Sequence, residues 1–151
     1  MARITLQSVN DAIESTLSAA TTLARSQSYD ELTEGIPDLP LLQVYPEAWG
    51  PARTGRTHAI TGGGAVRNTE WVFHADYYAR IRSSIGEDMA ALVPGIDAIE
   101  AVLEAQQSKP YFGLAEIESF NWEGSRVIFQ YGGDALQQYM GARYVITVRV
   151  Y

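Results

Sequence analysis

Hydrophobic positions recur along this chain with two different periods, and the change from one to the other marks out its elements. From Thr5 onward, Leu6, Val9, Ile13, Leu17, Ala20 and Ala24 lie mostly three or four residues apart, the spacing that lines one face of an α-helix. Thr5 is the expected N-cap, and Asp11 and Glu14 fall in early turns where acids suit the helix dipole. The predicted helix covers residues 5–25 and lays one face on a sheet. A second helical series, Ile85, Met89, Leu92, Ile96, Ile99 and Leu103, stays in phase across Pro94-Gly95. It predicts one kinked helix, or two short collinear ones, over residues 85–106. Asp97, Glu100 and Glu104 form its outer face, and Lys109-Pro110 ends it.

Elsewhere the period is two, as in a strand with one face buried. Over residues 68–80, Trp71, Phe73, Ala75 and Tyr77 share one face, and Val72, His74, Asp76 and Tyr78 the other. The last stretch, residues 126–151, holds two such runs. Val127, Phe129 and Tyr131 alternate with Arg126, Ile128 and Gln130, and Tyr144, Ile146, Val148 and Val150 alternate with Val145, Thr147, Arg149 and Tyr151. Gly132-Gly133-Asp134 and Gly141 are expected at the corners between them, where a missing Cβ frees the backbone. A run that stays strand-like to its final residue is expected to be tied into the sheet. Residues 41–45 read as a short strand bracketed by Pro40 and Pro46, which implies a sheet edge or strand end. Residues 114–122 read as another whose alternation slips near Ser119-Phe120, as a bulge would make it, before Glu123-Gly124 turns the chain. Residues 26–40, with Gly35, Pro37 and Pro40, are a connection that packs through Ile36 and Leu39.

The resulting order is α-β-β-α-β-β-β. Strands in runs, rather than in strict alternation with helices, predict an α+β fold: a mostly antiparallel sheet of four to five strands with two packed helices. No repeat or internal boundary interrupts it, so residues 1–151 are read as one domain.

Residues 49–67 obey neither period. They contain Gly50, Pro51, Gly55 and Gly62-Gly63-Gly64, and with them Trp49, Arg53, Arg56, His58 and Arg67. A loop of this length inside a compact domain usually carries function, although a mobile hairpin tip with no role fits the same residues. Charge sharpens the point. The chain carries a net charge of −7 with a pI near 4.7, so this is a locally basic loop in an acidic protein. Trp49, Arg53, Arg56, His58 and Arg67 are therefore the candidate partner-binding residues.

The acidity argues against a nucleic acid gripped by its phosphates. Nine tyrosines and three tryptophans suit protein contacts and cores alike. The absence of cysteine excludes disulfides, thiol catalysis and thiolate metal sites. No basic-then-apolar leader opens the chain, and no run approaches the roughly 18 apolar residues of a membrane span. The expected location is the cytosol, or an assembly built there, with no membrane contact.

Little chemistry is on offer. His58 and His74 sit at no metal-ligand spacing. His74 and Asp76 share a strand face and could pair, but fall short of a nucleophile, base and orienter. The glycine triplet lacks the Lys-Ser/Thr ending and following helix of a phosphate loop. Glu116 and Glu118 share a predicted strand face with no sign of a sugar-sized cleft. The expectation is a protein that is not an enzyme and binds no metal or cofactor.

The order of these pieces resembles a known family. After the first helix comes Pro40-Leu-Leu-Gln-Val-Tyr-Pro46, then the glycine-rich loop, then Trp-Val-Phe-His-Ala-Asp-Tyr-Tyr-Ala at 71–79. A helix with Ala-Leu-Val-Pro-Gly-Ile-Asp-Ala-Ile at 91–99 follows, and the chain closes with Tyr131-Gly132-Gly133 and Tyr139-Met140-Gly141-Ala142-Arg143-Tyr144. The pattern is similar to the tail-terminator (tail-completion, or neck) proteins of long-tailed bacteriophages and phage-derived tails. It extends over nearly the full length as order and texture, and the closing Tyr-Gly-Gly and Tyr-x-Gly segments carry most of it.

The resemblance implies a structural role in the virion tail or neck, assembled in the host cytoplasm. Such proteins form a ring, usually a hexamer, on the last ring of the tail tube, stop its polymerisation and face the head connector. The implied partners are copies of itself, the tail-tube protein and a head-completion or connector protein. DNA would pass the lumen without specific binding, which an acidic ring favours. The family supplies no catalytic residues. The competing reading is a small-ligand-binding or enzymatic α+β domain whose pocket is lined by Trp71, Phe73, Tyr77 and Tyr131.

Overall fold

The computed structural model describes residues 4–20, 25–28, 39–51, 59–60, 64–65, 69–131 and 137–150. Among these residues the elements run α1 (Leu6–Leu17), β1 (Arg25–Ser28), β2 (Leu41–Pro51), β3 (Ala59–Ile60), β4 (Gly64–Ala65), β5 (Thr69–Ile81), α2 (Ile85–Glu104), β6 (Ile117–Tyr131) and β7 (Gln137–Val150). Five strands form one sheet in the order β1-β2-β5-β7-β6, and β3 pairs with β4 in a separate two-stranded ribbon. The four long strands are mutually antiparallel, and only the short β1 runs parallel to its neighbour β2. The fold is α+β.

Thr5 caps α1 as its position predicts, accepting a hydrogen bond from the Ser8 amide at 3.1 Å. The helix then stops at Leu17 rather than near residue 25. Ser and Thr hydroxyls compete for backbone groups there: Thr16 donates to the Ala12 carbonyl at 2.8 Å and Ser18 to that of Ser15 at 2.6 Å. Arg25 consequently belongs to β1, a strand whose Arg-Ser-Gln-Ser sequence has no apolar alternation. Helix α2 is one helix that continues through Pro94 and ends two residues before the expected 106. Gly95 keeps it in place, because a Cβ there would collide with the phenol of Tyr77.

Three strands are longer than their alternation predicts. β2 does not end at Tyr45 but runs through Pro46 to Pro51, with a register shift between Pro46 and Ala48. β1 covers only Leu41 to Val44, so Pro46 lies where β2 has become the edge and a missing donor is tolerated. β6 passes straight through Glu123-Gly124, where a turn is expected. Gly124 makes room for the Tyr144 ring, whose nearest carbon would sit 3.0 Å from a Cβ. The two predicted strands are thus one, and two strands rather than three follow α2. The expected bulge is present, between Ile117 and Ser119. β7 begins before Gly141, which lies within the strand and not at a corner; a Cβ there would meet the Tyr77 carbonyl and the Phe129 ring.

One face of the sheet is covered by both helices. Leu42, Val44, Trp71, Phe73, Ala75, Tyr77, Tyr144, Ile146, Val148 and Val150 are buried there against Val9, Ile13 and Leu17 of α1 and Leu92, Ile99 and Leu103 of α2. The β5 and β7 faces read from the sequence are the ones that pack. Asn10, fully buried, ties α1 to β2 by donating to the Val44 carbonyl at 3.2 Å. On the opposite face a smaller aromatic cluster forms from Leu41, Tyr78, Phe129 and Tyr139, with the Tyr78 ring tilted 35° against that of Phe129 at 4.3 Å between centroids.

Candidate functional site

Of the five candidate loop residues, only Trp49 falls within the described structure. It is part of β2 and is 67% exposed, so the loop is shorter than 49–67 by its first three residues. Arg53, Arg56, His58 and Arg67 lie outside the described residues. What frames them is clear. β2 and β5 form a hairpin whose last pair is Pro51 with Thr69, and the β3–β4 ribbon lies within the connection. Thr69 pairs with Val150, and Val150 with Ile117, so the connection leaves from the end of the sheet where β6 begins.

His74 and Asp76 do share a face, but they meet through a third residue that the sequence does not signal. Tyr45 donates its hydroxyl proton to Asp76 Oδ2 at 2.7 Å, and its oxygen lies 3.4 Å from His74 Nδ1. Arg143 grips the same carboxylate with both prongs, Nε to Oδ1 at 2.8 Å and Nη2 to Oδ2 at 3.1 Å, and Nη2 also donates to Tyr45 Oη at 3.2 Å. Bidentate guanidinium–carboxylate geometry of this kind is strong and directional. The hydrogen bond it donates to Asp76 holds the Arg143 guanidinium even above its ordinary range. Burial, and then the bond to Asp76, pushes the Tyr45 phenol well above the ordinary tyrosine value. A phenol so occupied and so reluctant to ionise is a poor nucleophile or base. Register puts Gln43, Asp76 and Arg143 side by side on β2, β5 and β7. The cluster is a clamp across the three strands.

The other sequence candidates separate. Trp71, Phe73 and Tyr77 are 6%, 0% and 1% exposed and fill the core beneath the helices, and the Tyr131 side chain lies outside the described structure. Glu116 precedes β6, while Glu118 sits in its bulge, so the two do not share a strand face. Among the described residues no three His, Asp or Glu side chains gather as a metal would require, and no helix is long and apolar enough to cross a membrane.

Two surfaces remain that sequence reasoning missed. The first is a groove between the helices, lined by small residues including Ala19, Ala98, Ala101 and Ala105. The second is the outer edge of β6. Beside it runs a cleft of about 390 Å³ walled by Leu103, Glu104, Gln106 and Tyr111 and floored by Phe120 and Trp122. An alternating Phe120, Trp122 pair just before the misread turn was the available signal. No protein-family model matches the chain, and no curated protein matches it.

Proposed function

We propose that the protein is a ring-forming structural subunit of the phage tail-terminator kind, acting by shape and contact rather than by catalysis. In this reading copies of the chain, most naturally six, close into a ring on the last ring of a tail tube. The ring ends polymerisation and presents a surface to the head connector. Its place is the virion tail or neck, assembled in the host cytoplasm, with DNA passing an acidic lumen unbound.

The observation that carries the reading is the long basic connection set between two strands of an otherwise acidic α+β subunit. Residues 52–67 hold Arg53, Arg56 and Arg67 and no acid, at the end of a hairpin anchored in the middle of the sheet. Such a subunit has two unlike parts in its sequence, a basic connection and an acidic remainder. Unlike surfaces suit head-to-tail contacts, which make a ring where the rotation between copies closes. The order of elements, which resembles the terminator family, supports the same reading.

The test is the double variant Arg53→Glu/Arg56→Glu. Both positions lie in the connection between β2 and β5, so the melting temperature should stay within a few degrees of wild type. Ring formation and tail completion should be lost, scored by complementation and electron microscopy of tail lengths. Normal-length, head-joined tails made with a folded double variant would refute the role given to this connection.

A further inference from the structure

β6 is an open edge. It is the last strand of the sheet, 15 residues long, with β7 on its inner side and no paired strand on its outer side among the described residues. An unpaired row of N–H and C=O groups is a template for another strand, and proteins usually blunt it with lysine, proline or brevity. β6 has none of these; its sequence contains neither lysine nor proline, and its bulge affects one end only.

The edge is also furnished. Phe120 and Trp122, two residues apart and therefore on one face, form the floor of the adjoining cleft. Neither is loose. Phe120 packs edge-on against Tyr111 and Phe112 at 5.2 and 4.8 Å, and Trp122 lies 6.0 Å from Tyr144. The Tyr111 wall is held by a strained turn. Phe112 adopts φ of 51°, a left-handed conformation that a phenylalanine avoids, and its amide donates to Gln106 Oε1 at 2.9 Å. Glu104 stands in the cleft wall, and Glu118, in the bulge at the start of β6, has its Oε2 covered from solvent and without a hydrogen-bond partner among the described residues.

A strand added here would pair with the β6 backbone, set alternate side chains on the aromatic floor, and need positive charge. Residues 52–67 of another copy fit that description. They carry three arginines and no acid, and they contain Ala59–Ile60 and Gly64–Ala65, already in strand conformation. We propose that the outer edge of β6 and its aromatic cleft receive the β3–β4 arm of a second copy by strand addition. This rests on the ring reading above and names its contact: each copy gives one arm and accepts one, so the interface is heterologous.

The chain has no cysteine, so single cysteines report contacts cleanly. One preparation carries Asn121→Cys, and the other carries Arg53→Cys, Ala59→Cys or Ala65→Cys in turn. Mixed at a concentration where rings are seen by electron microscopy, at least one pair should give a disulfide-linked dimer that neither preparation gives alone. In the unmodified protein, hydrogen exchange over residues 117–131 should slow by about tenfold or more on assembly. Rings without any cross-link and without added β6 protection would overturn this contact and leave the ring reading standing. A link formed only within one chain, when both cysteines are placed on the same copy, would overturn it too. No rings at any concentration, alone or with tubes, would overturn both.

Discussion

Tyr45 and Tyr144 carry the same phenol into different circumstances. Tyr45 donates to Asp76 and accepts from Arg143, whereas the buried Tyr144 hydroxyl has no hydrogen-bond partner among the described residues. Removing a made bond exposes its partners' unmet demand, and removing an unmade one relieves it. At pH 7, Tyr45→Phe should cost about 1–3 kcal/mol in urea unfolding, while Tyr144→Phe should lie within about 1 kcal/mol of wild type, on the stabilising side. Alkali bears on both, since burial raises each phenol above its ordinary value. Burial foremost, and then the charge of Glu100, hold the Tyr144 phenol above its ordinary value of 10.0. The folded state therefore keeps a proton that the unfolded chain releases, so this contribution is intact below pH 10 and is lost as pH rises beyond it. Tyr144→Phe should flatten the decline between pH 10 and 11 by about 1 kcal/mol. Parallel declines in the two proteins would show that other groups govern alkaline unfolding.

At the scale of elements, glycines divide by what faces them. Gly141→Ala should destabilise by about 1–3 kcal/mol, although alanine is the better strand residue, because its Cβ meets the Tyr77 carbonyl and the Phe129 ring. Gly86→Ala, in the first turn of α2 with open space around it, should stabilise by up to about 1 kcal/mol. Equal effects of the two in denaturant titrations would mean that chain entropy, not packing, sets the outcome. The same contrast explains what was legible. The α1, α2, β5 and β7 faces showed in the sequence because one shared core imposes the helical period on α1 and α2 and a period of two on β5 and β7. β6 looked like two strands because Glu123, Gly124, Ser125 and Arg126 are all exposed in its middle, and polarity with glycine reads as a turn. β1 was invisible because a parallel edge pairing needs no apolar pattern. The Tyr45–Asp76–Arg143 clamp joins residues 31, 67 and 98 positions apart, beyond any local signal. Of the candidate site, only Trp49 could be placed, and it proved to be strand.

For the whole molecule, the four long strands of the sheet are two hairpins joined along one seam, with β1 added beside β2. β2 with β5 and β6 with β7 are neighbours in sequence, whereas the β5–β7 seam pairs Thr69 with Val150 and Ile81 with Tyr139. Closing that seam brings together residues about 58 to 81 positions apart, and the chain entropy of doing so is lost before the contacts form. The seam is thus expected to be the late, slow event, with each hairpin assembled beforehand. Ile146→Val, opposite Phe73 on the seam, should slow refolding in stopped-flow nearly in step with its loss of stability. Phe120→Leu, on the outer strand, should chiefly hasten unfolding. A refolding rate unmoved by Ile146→Val would place the barrier elsewhere. In kinetic terms, then, the clamp of Asp76 and Arg143 is a latch between two preformed halves, and it governs how fast the chain arrives at its fold as well as how firmly it stays there.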